Sequence, residues 1–244
     1  MEQEKSFTIF DHLAELRTRL MKVVGAILVG TFASFHYAEH IFNVVRKPIE
    51  PYLPNGLIYT GPIDKFMAYI KIAVVSGIIL SSPYWFYQIW AFVAPGLYKK
   101  EKRMAGTFVG AGTGLFVSGV MFSYFVALPM AFHFLMTFGG DKDKPMIAID
   151  SYLDFVTQIS LMFGLSFELP LVISILGMLG IVSKQFLKDK RRYAVMTIAI
   201  ASAIITPPDL LSMLLMMGPM ILLYEISIPI VGFFEKKRAA EQNF

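Results

Sequence analysis

Six long apolar blocks, separated by short polar connections, limit this chain to a narrow set of folds. They run over about residues 20–38, 66–90, 105–138, 152–179, 193–206 and 210–233. A hydrocarbon core about 30 Å thick is crossed by roughly 20 apolar residues in a helix. Lipid offers no water to unpaired backbone groups, so such blocks close their hydrogen bonds internally. The expectation is an all-α integral membrane protein, one polytopic domain over residues 1–244 with six transmembrane helices. The fifth and sixth blocks are expected to be short, parted by Pro207, Pro208 and Asp209. A block as short as the fifth calls for local thinning of the bilayer or an end within a protein-lined cavity. Composition agrees: 56% of residues are hydrophobic and 16% charged, where soluble domains carry about 25% charge.

The first apolar block follows a charged, amphipathic stretch with no small-residue cleavage site soon after it, so it does not read as a cleavable signal. Absence of cysteine removes disulfides, thiolate metal sites and cysteine nucleophiles. The net charge of +4 is a matter of topology rather than of nucleic-acid binding. One set of connections holds Lys5, Arg17, Arg19 and Lys22, then Lys99, Lys100, Lys102 and Arg103. It continues with Lys184, Lys188, Lys190, Arg191 and Arg192, and ends with Lys236, Lys237 and Arg238. The other set has only Arg46, Lys47, Lys65, Lys71, Lys142 and Lys144. Six spans separate the two sets cleanly, and the positive-inside rule then places both termini in the cytoplasm. The largest outward connection, residues 39–65, contains four prolines and two glycines and reads as a rigid extended lid. A short helix is expected near residues 41–46.

Three stretches could carry chemistry. In Asp11–Leu20 a helix puts Leu13, Leu16 and Leu20 on one face and Glu15 four residues before Arg19 on another. This is either an ordinary interfacial helix or a binding element. The connection Trp90–Arg103 is a Pro-Gly turn with basic flanks, yet Glu101 stands alone among four cations beside Phe92, Leu97 and Tyr98. A carboxylate among apolar groups suits a cationic peptide, because a guanidinium bonds carboxylates through two parallel hydrogen bonds. Glu168, inside the fourth block, costs roughly 2.5–3.5 kcal/mol on insertion scales and so faces a cavity or a partner. Pro170 breaks the ladder beside it. Glu225 is a weaker case, near the inner interface. There is no P-loop, H-E-x-x-H or G-x-S-x-G motif, and the four histidines lack ligand spacing; no enzyme, metal or cofactor is expected.

Taken in order, these stretches resemble the TatC family, the multi-spanning receptor subunits of the twin-arginine protein translocase. The matching pieces are His12-Leu-x-Glu15-Leu16-Arg17-x-Arg19-Leu20, Pro48, and Ser82-Pro83-x-x-x-Tyr87-Gln88-x-Trp90-x-Phe92-x-x-Pro95-x-Leu97-Tyr98-x-x-Glu101. After them come Ala127-Leu-Pro-Met-Ala-Phe132, Phe163-Gly-x-Ser-Phe-Glu168-x-Pro170, Thr206-Pro-Pro-Asp209 and Tyr224-Glu-Ile226. Together they cover nearly the whole chain. The resemblance implies a concave bundle in the bacterial inner membrane that binds signal peptides bearing an Arg-Arg pair on folded cargo. It implies single-span TatA and TatB partners, further copies of the receptor, and transport driven by the proton-motive force. Glu15 and Glu101 would hold the signal's arginines, with Arg17, Arg19, Phe92, Leu97 and Tyr98 around them. Glu168 would meet a partner helix, and Pro48 and Asp209 would support the outward cap. Where the family often has Gln near the start of the last span, this chain has Met213. The rival reading is a proton-coupled small-solute transporter using Glu168, which calls for two related halves with broken helices and further mid-depth acids. A membrane scaffold without cargo binding would leave Glu101 and its aromatic neighbours without purpose.

Overall fold

Peptide groups in hydrocarbon bond only within their own segment, and the apolar blocks accordingly close into helices. The computed structural model describes residues 9–93, 105–138, 140, 145–205 and 210–242. In chain order the helices are α1 (Ile9–Phe35), α2 (Ala38–Val45), α3 (Asp64–Leu80), α4 (Ser82–Val93), α5 (Ala105–Phe122), α6 (Leu128–Thr137), α7 (Ile149–Ser166), α8 (Leu169–Met178), α9 (Lys184–Asp189), α10 (Arg191–Ile205) and α11 (Leu210–Gln242). Large apolar side chains such as Phe32, Phe125, Ile204 and Phe233 are exposed, which suits a surface solvated by lipid.

Among the described residues, four stretches are long and apolar enough to cross a membrane: His12–Phe35, Ala105–Thr137, Ile149–Met178 and Ser212–Lys236. A fifth is the pair α3 and α4, bent by 53° at Ser81. The remaining block forms α10, 15 residues long and thus about 22 Å at 1.5 Å per residue. By length and composition the described residues give four crossings, or five with the bent pair counted as one, where the sequence predicts six; the fifth block is short as expected. The last block is not short. Its apolar part alone has 25 residues, and α11 continues to Gln242, because Glu235–Gln242 consists of good helix formers that carry the helix past the end of hydropathy.

The bends have local causes. Pro83 lacks the N–H that would reach Ile79, and its ring crowds the turn before it. Trp85 Nε1 (3.1 Å) and Ser81 Oγ (3.3 Å) cap the carbonyl of Ile78 at that break. Between α5 and α6 the helix widens into a π-turn, Ser123–Ala127, just before Pro129; Ser123 Oγ there donates to Val120 O at 2.8 Å and pairs with the Ser160 hydroxyl at 3.1 Å. Pro170 marks the break between α7 and α8.

The connection between α1 and α3 is ordered. After α2, a 3-10 turn, Glu50–Tyr52, sinks Ile49 and Leu53 into the core. Tyr124 Oη and Tyr152 Oη donate to the Val44 and Val45 carbonyls at 2.8 and 2.7 Å. Ile58 N donates to Ile147 O at 3.0 Å and Ile149 N to Ile58 O at 2.7 Å, stitching the connection before α3 to the one before α7. Pro48 is half-buried between α2 and the 3-10 turn.

α1 and α3 meet backbone to backbone. A Cβ added to Gly77 would lie 2.5 Å from Thr31 N, and one added to Gly30 2.7 Å from Gly77 O; small residues are what let membrane helices approach so closely. Gly77→Val is therefore expected to destabilise the chain by about 1–3 kcal/mol, read as a lower unfolding temperature in detergent, whereas Gly25→Ala, facing open space, leaves it unchanged.

Candidate functional site

The first turns of α1 are amphipathic with their sides reversed. Leu13, Leu16 and Leu20 share one stripe and all are exposed. From Phe10 to Lys22, wherever burial is described, every residue is exposed except Glu15 and Arg19, which are half-buried. Lipid accepts the leucines, so the polar pair is the face turned toward α4.

Arg19 donates twice to Oε1 of Glu15, from Nη2 at 2.6 Å and from Nε at 2.9 Å. Its Nη1 lies 3.3 Å from Oε1 of Gln88, a buried residue of α4. One turn along α4, Phe92 stacks on His12 with centroids 4.3 Å apart and planes 17° from parallel. His12 Nδ1 stands 3.9 Å from Oε2 of Glu15, and among the described residues no hydrogen bond reaches that oxygen. The result is a clamp between α1 and α4: a carboxylate with one oxygen filled by a guanidinium, walled by an aromatic pair.

The structure thus brings together Glu15, Arg19 and Phe92. Arg17 sits about 200° around the helix from Glu15 and lines a shallow surface with Ala14, Thr18, Met21 and Lys22. Leu97, Tyr98, Glu101 and Asp209 lie outside the described residues. Gln88 and His12 were not singled out from the sequence as site residues. Their signal was positional, since Gln88 and Phe92 are four apart on one helix, as are His12 and Leu16, but only tertiary packing says that the two helices face each other.

Glu168 occupies the junction of α7 and α8, about 15 Å of helix from Met178. It is 7% exposed; its carboxyl points toward the Phe116 backbone, yet neither oxygen has a hydrogen-bond partner among the described residues. Glu225 differs: Arg191 Nη2 donates to its Oε2 at 2.5 Å, tying the start of α10 to α11. At the far end of the bundle Lys71 joins α3 to α7 through Asp150 and through Asp154, the latter at 2.7 Å, a contact between helices that the sequence did not disclose. No cluster of His, Cys, Asp or Glu among the described residues could hold a metal.

The family model for Sec-independent protein translocase protein (TatC) matches residues 11–219. The chain belongs to the TatC family. A TatC of Carboxydothermus hydrogenoformans is 39% identical over 236 residues, 96% of this chain and 97% of that protein. One of Helicobacter pylori strain J99 is 42% identical over 217 residues, 89% of this chain and 86% of its own length. Among solved structures, a crystal structure of the twin-arginine translocase receptor TatC superposes with a TM-score of 0.80 at 35% identity, covering 92% of this chain and 99% of that one. TatC is a translocase family, not one of catalytic enzymes, and membership makes this chain a multi-pass bacterial membrane protein. The small-solute transporter reading finds no support in it.

Among the described residues, Glu168 is a buried acid with no hydrogen-bond donor on either oxygen. Replacing an unpaired polar group by an apolar one of similar size removes a penalty of about 1–3 kcal/mol. Glu168→Leu is expected to raise the unfolding temperature of the purified chain in detergent; a lower one would mean that the carboxyl is already satisfied.

Proposed function

We propose that the chain is the receptor that reads twin-arginine signal peptides for a Tat translocase, with its basic end and both termini in the cytoplasm of the inner membrane. α10 completes the sixth crossing where the bilayer thins or where protein lines it. The observation that carries the reading is the Glu15 clamp. Its carboxylate is shaped, walled and placed to take a guanidinium, since it already holds one.

Glu15 and, from the neighbouring connection, Glu101 bind the two signal arginines. Phe92, Leu97 and Tyr98 take the apolar side chains that flank them, and Arg17 and Arg19 form the basic rim. Two carboxylates inside a cationic face do not attract basic peptides in bulk. They act through oriented hydrogen bonds, while the surrounding lysines and arginines repel cationic peptides lacking the right geometry. Glu168, buried without a donor among the described residues, receives a polar side chain from a TatA- or TatB-type single-span helix, and further copies of the receptor join the assembly. Pro48 and Asp209 stiffen the outward cap and corner. The proton-motive force drives transport of the folded cargo.

Charge reversal separates these roles. Glu15→Lys or Glu101→Lys is expected to abolish photocrosslinking from position 92 to a signal peptide with two arginines while the receptor still inserts; undiminished crosslinking in both variants sinks the assignment. Glu168→Ala is expected to keep signal crosslinking and lose most co-purification with a TatA-type partner. Equal recovery of that partner would remove Glu168 from the interface.

A further inference from the structure

Glu15 does not wait empty. Two donors of one guanidinium converge on Oε1, which fills the lone pairs of that oxygen and leaves Oε2 as the open edge. A cation arriving from outside therefore meets a carboxylate already engaged by a tethered arginine. To bond both oxygens end-on, as a guanidinium does, a signal arginine has to move Arg19 aside.

The displaced side chain has a place to go. Arg19 Nη1 already lies 3.3 Å from Oε1 of Gln88, and Gln88 is buried in α4 and so fixed in position. Swinging about its stem, Arg19 keeps that acceptor while releasing Glu15, and is not stranded as an unpaired charge between two helices. Neither His12 nor Arg17 can serve instead: His12 is stacked on Phe92, and Arg17 projects from the opposite side of α1.

We infer that Arg19 is an intramolecular stand-in for a signal arginine. It fills Glu15 when no signal is bound, sets the affinity threshold that a signal must exceed, and returns to Glu15 as the signal leaves, with Gln88 as its resting acceptor. The inference rests on the assignment of Glu15 to arginine binding. It reverses the sign expected of a simple contact residue, because removing a competitor tightens binding whereas removing a contact weakens it. The threshold applies to every cation alike, so a signal carrying lysines, which lack the fork, falls below useful affinity first.

The test is fluorescence anisotropy of a labelled twin-arginine signal peptide on the full-length chain in nanodiscs. Freeing a charge-assisted pair of this kind is worth about tenfold in affinity, so Arg19→Gln is expected to tighten binding about tenfold and to slow release. A lysine-substituted peptide should gain by the same factor. Lys22→Gln, which removes the same charge one turn away, is the control for bulk electrostatics and is expected to leave affinity within about twofold. Gln88→Leu is expected to weaken binding several-fold in the wild-type background and to have no effect once Arg19 is replaced. Arg19→Gln that weakens binding or leaves it unchanged overturns the inference, as does an equal gain from Lys22→Gln. Glu15→Gln distinguishes the two levels. If it leaves binding unaltered, the assignment and the inference fall together; if it weakens binding and Arg19→Gln does too, the inference alone falls.

Discussion

Hydrogen bonds that lipid cannot supply have to be made by the chain itself, and this requirement organises the whole bundle. Helices satisfy it along their length, so each place where a helix breaks needs a specific remedy. At Ser81 the remedy is a tryptophan indole and a serine hydroxyl on one carbonyl. At Ser123 it is a widened turn with a serine pair. At Glu168 the side chain itself is left without a partner among the described residues. The first two breaks are closed repairs. The third is left open among the described residues.

The same accounting explains why the two ends of the bundle differ. At the end that carries α2, tyrosine hydroxyls hold the carbonyls of that helix, and two connections are stitched together by backbone bonds. At the opposite end, Glu15 and Arg19 on one helix face are set against Gln88 on another. One end is tied by backbone and tyrosine hydrogen bonds, and the other by a side-chain network between two helices.

Much of this was legible in the sequence. Apolar block length gave the helices, the proline-rich connection gave the cap, and helical spacing gave the Glu15–Arg19 pair. What the sequence left open has physical reasons. Hydropathy measures transfer from water and is blind to direction, so it reported residues 66–90 as one span and missed the bend at Pro83. It also stops at the last apolar residue, although helix propensity carries α11 onward to Gln242. Arg17 could have been separated from Glu15 by helical period alone. Gln88 could not, since its role exists only once α1 and α4 pack together.

The first turns of α1 project beyond the packed part of the bundle. Val23 is where α1 packs against the cluster that contains Trp85 and Phe86, and Glu15 lies eight residues, about 12 Å, beyond it. That makes the segment a lever with its fulcrum at Val23. A tilt of about 10° about that point carries Glu15 roughly 2 Å and Arg19, half as far from it, about 1 Å. The distance between Glu15 and α4 is thus tied to a single angle of α1.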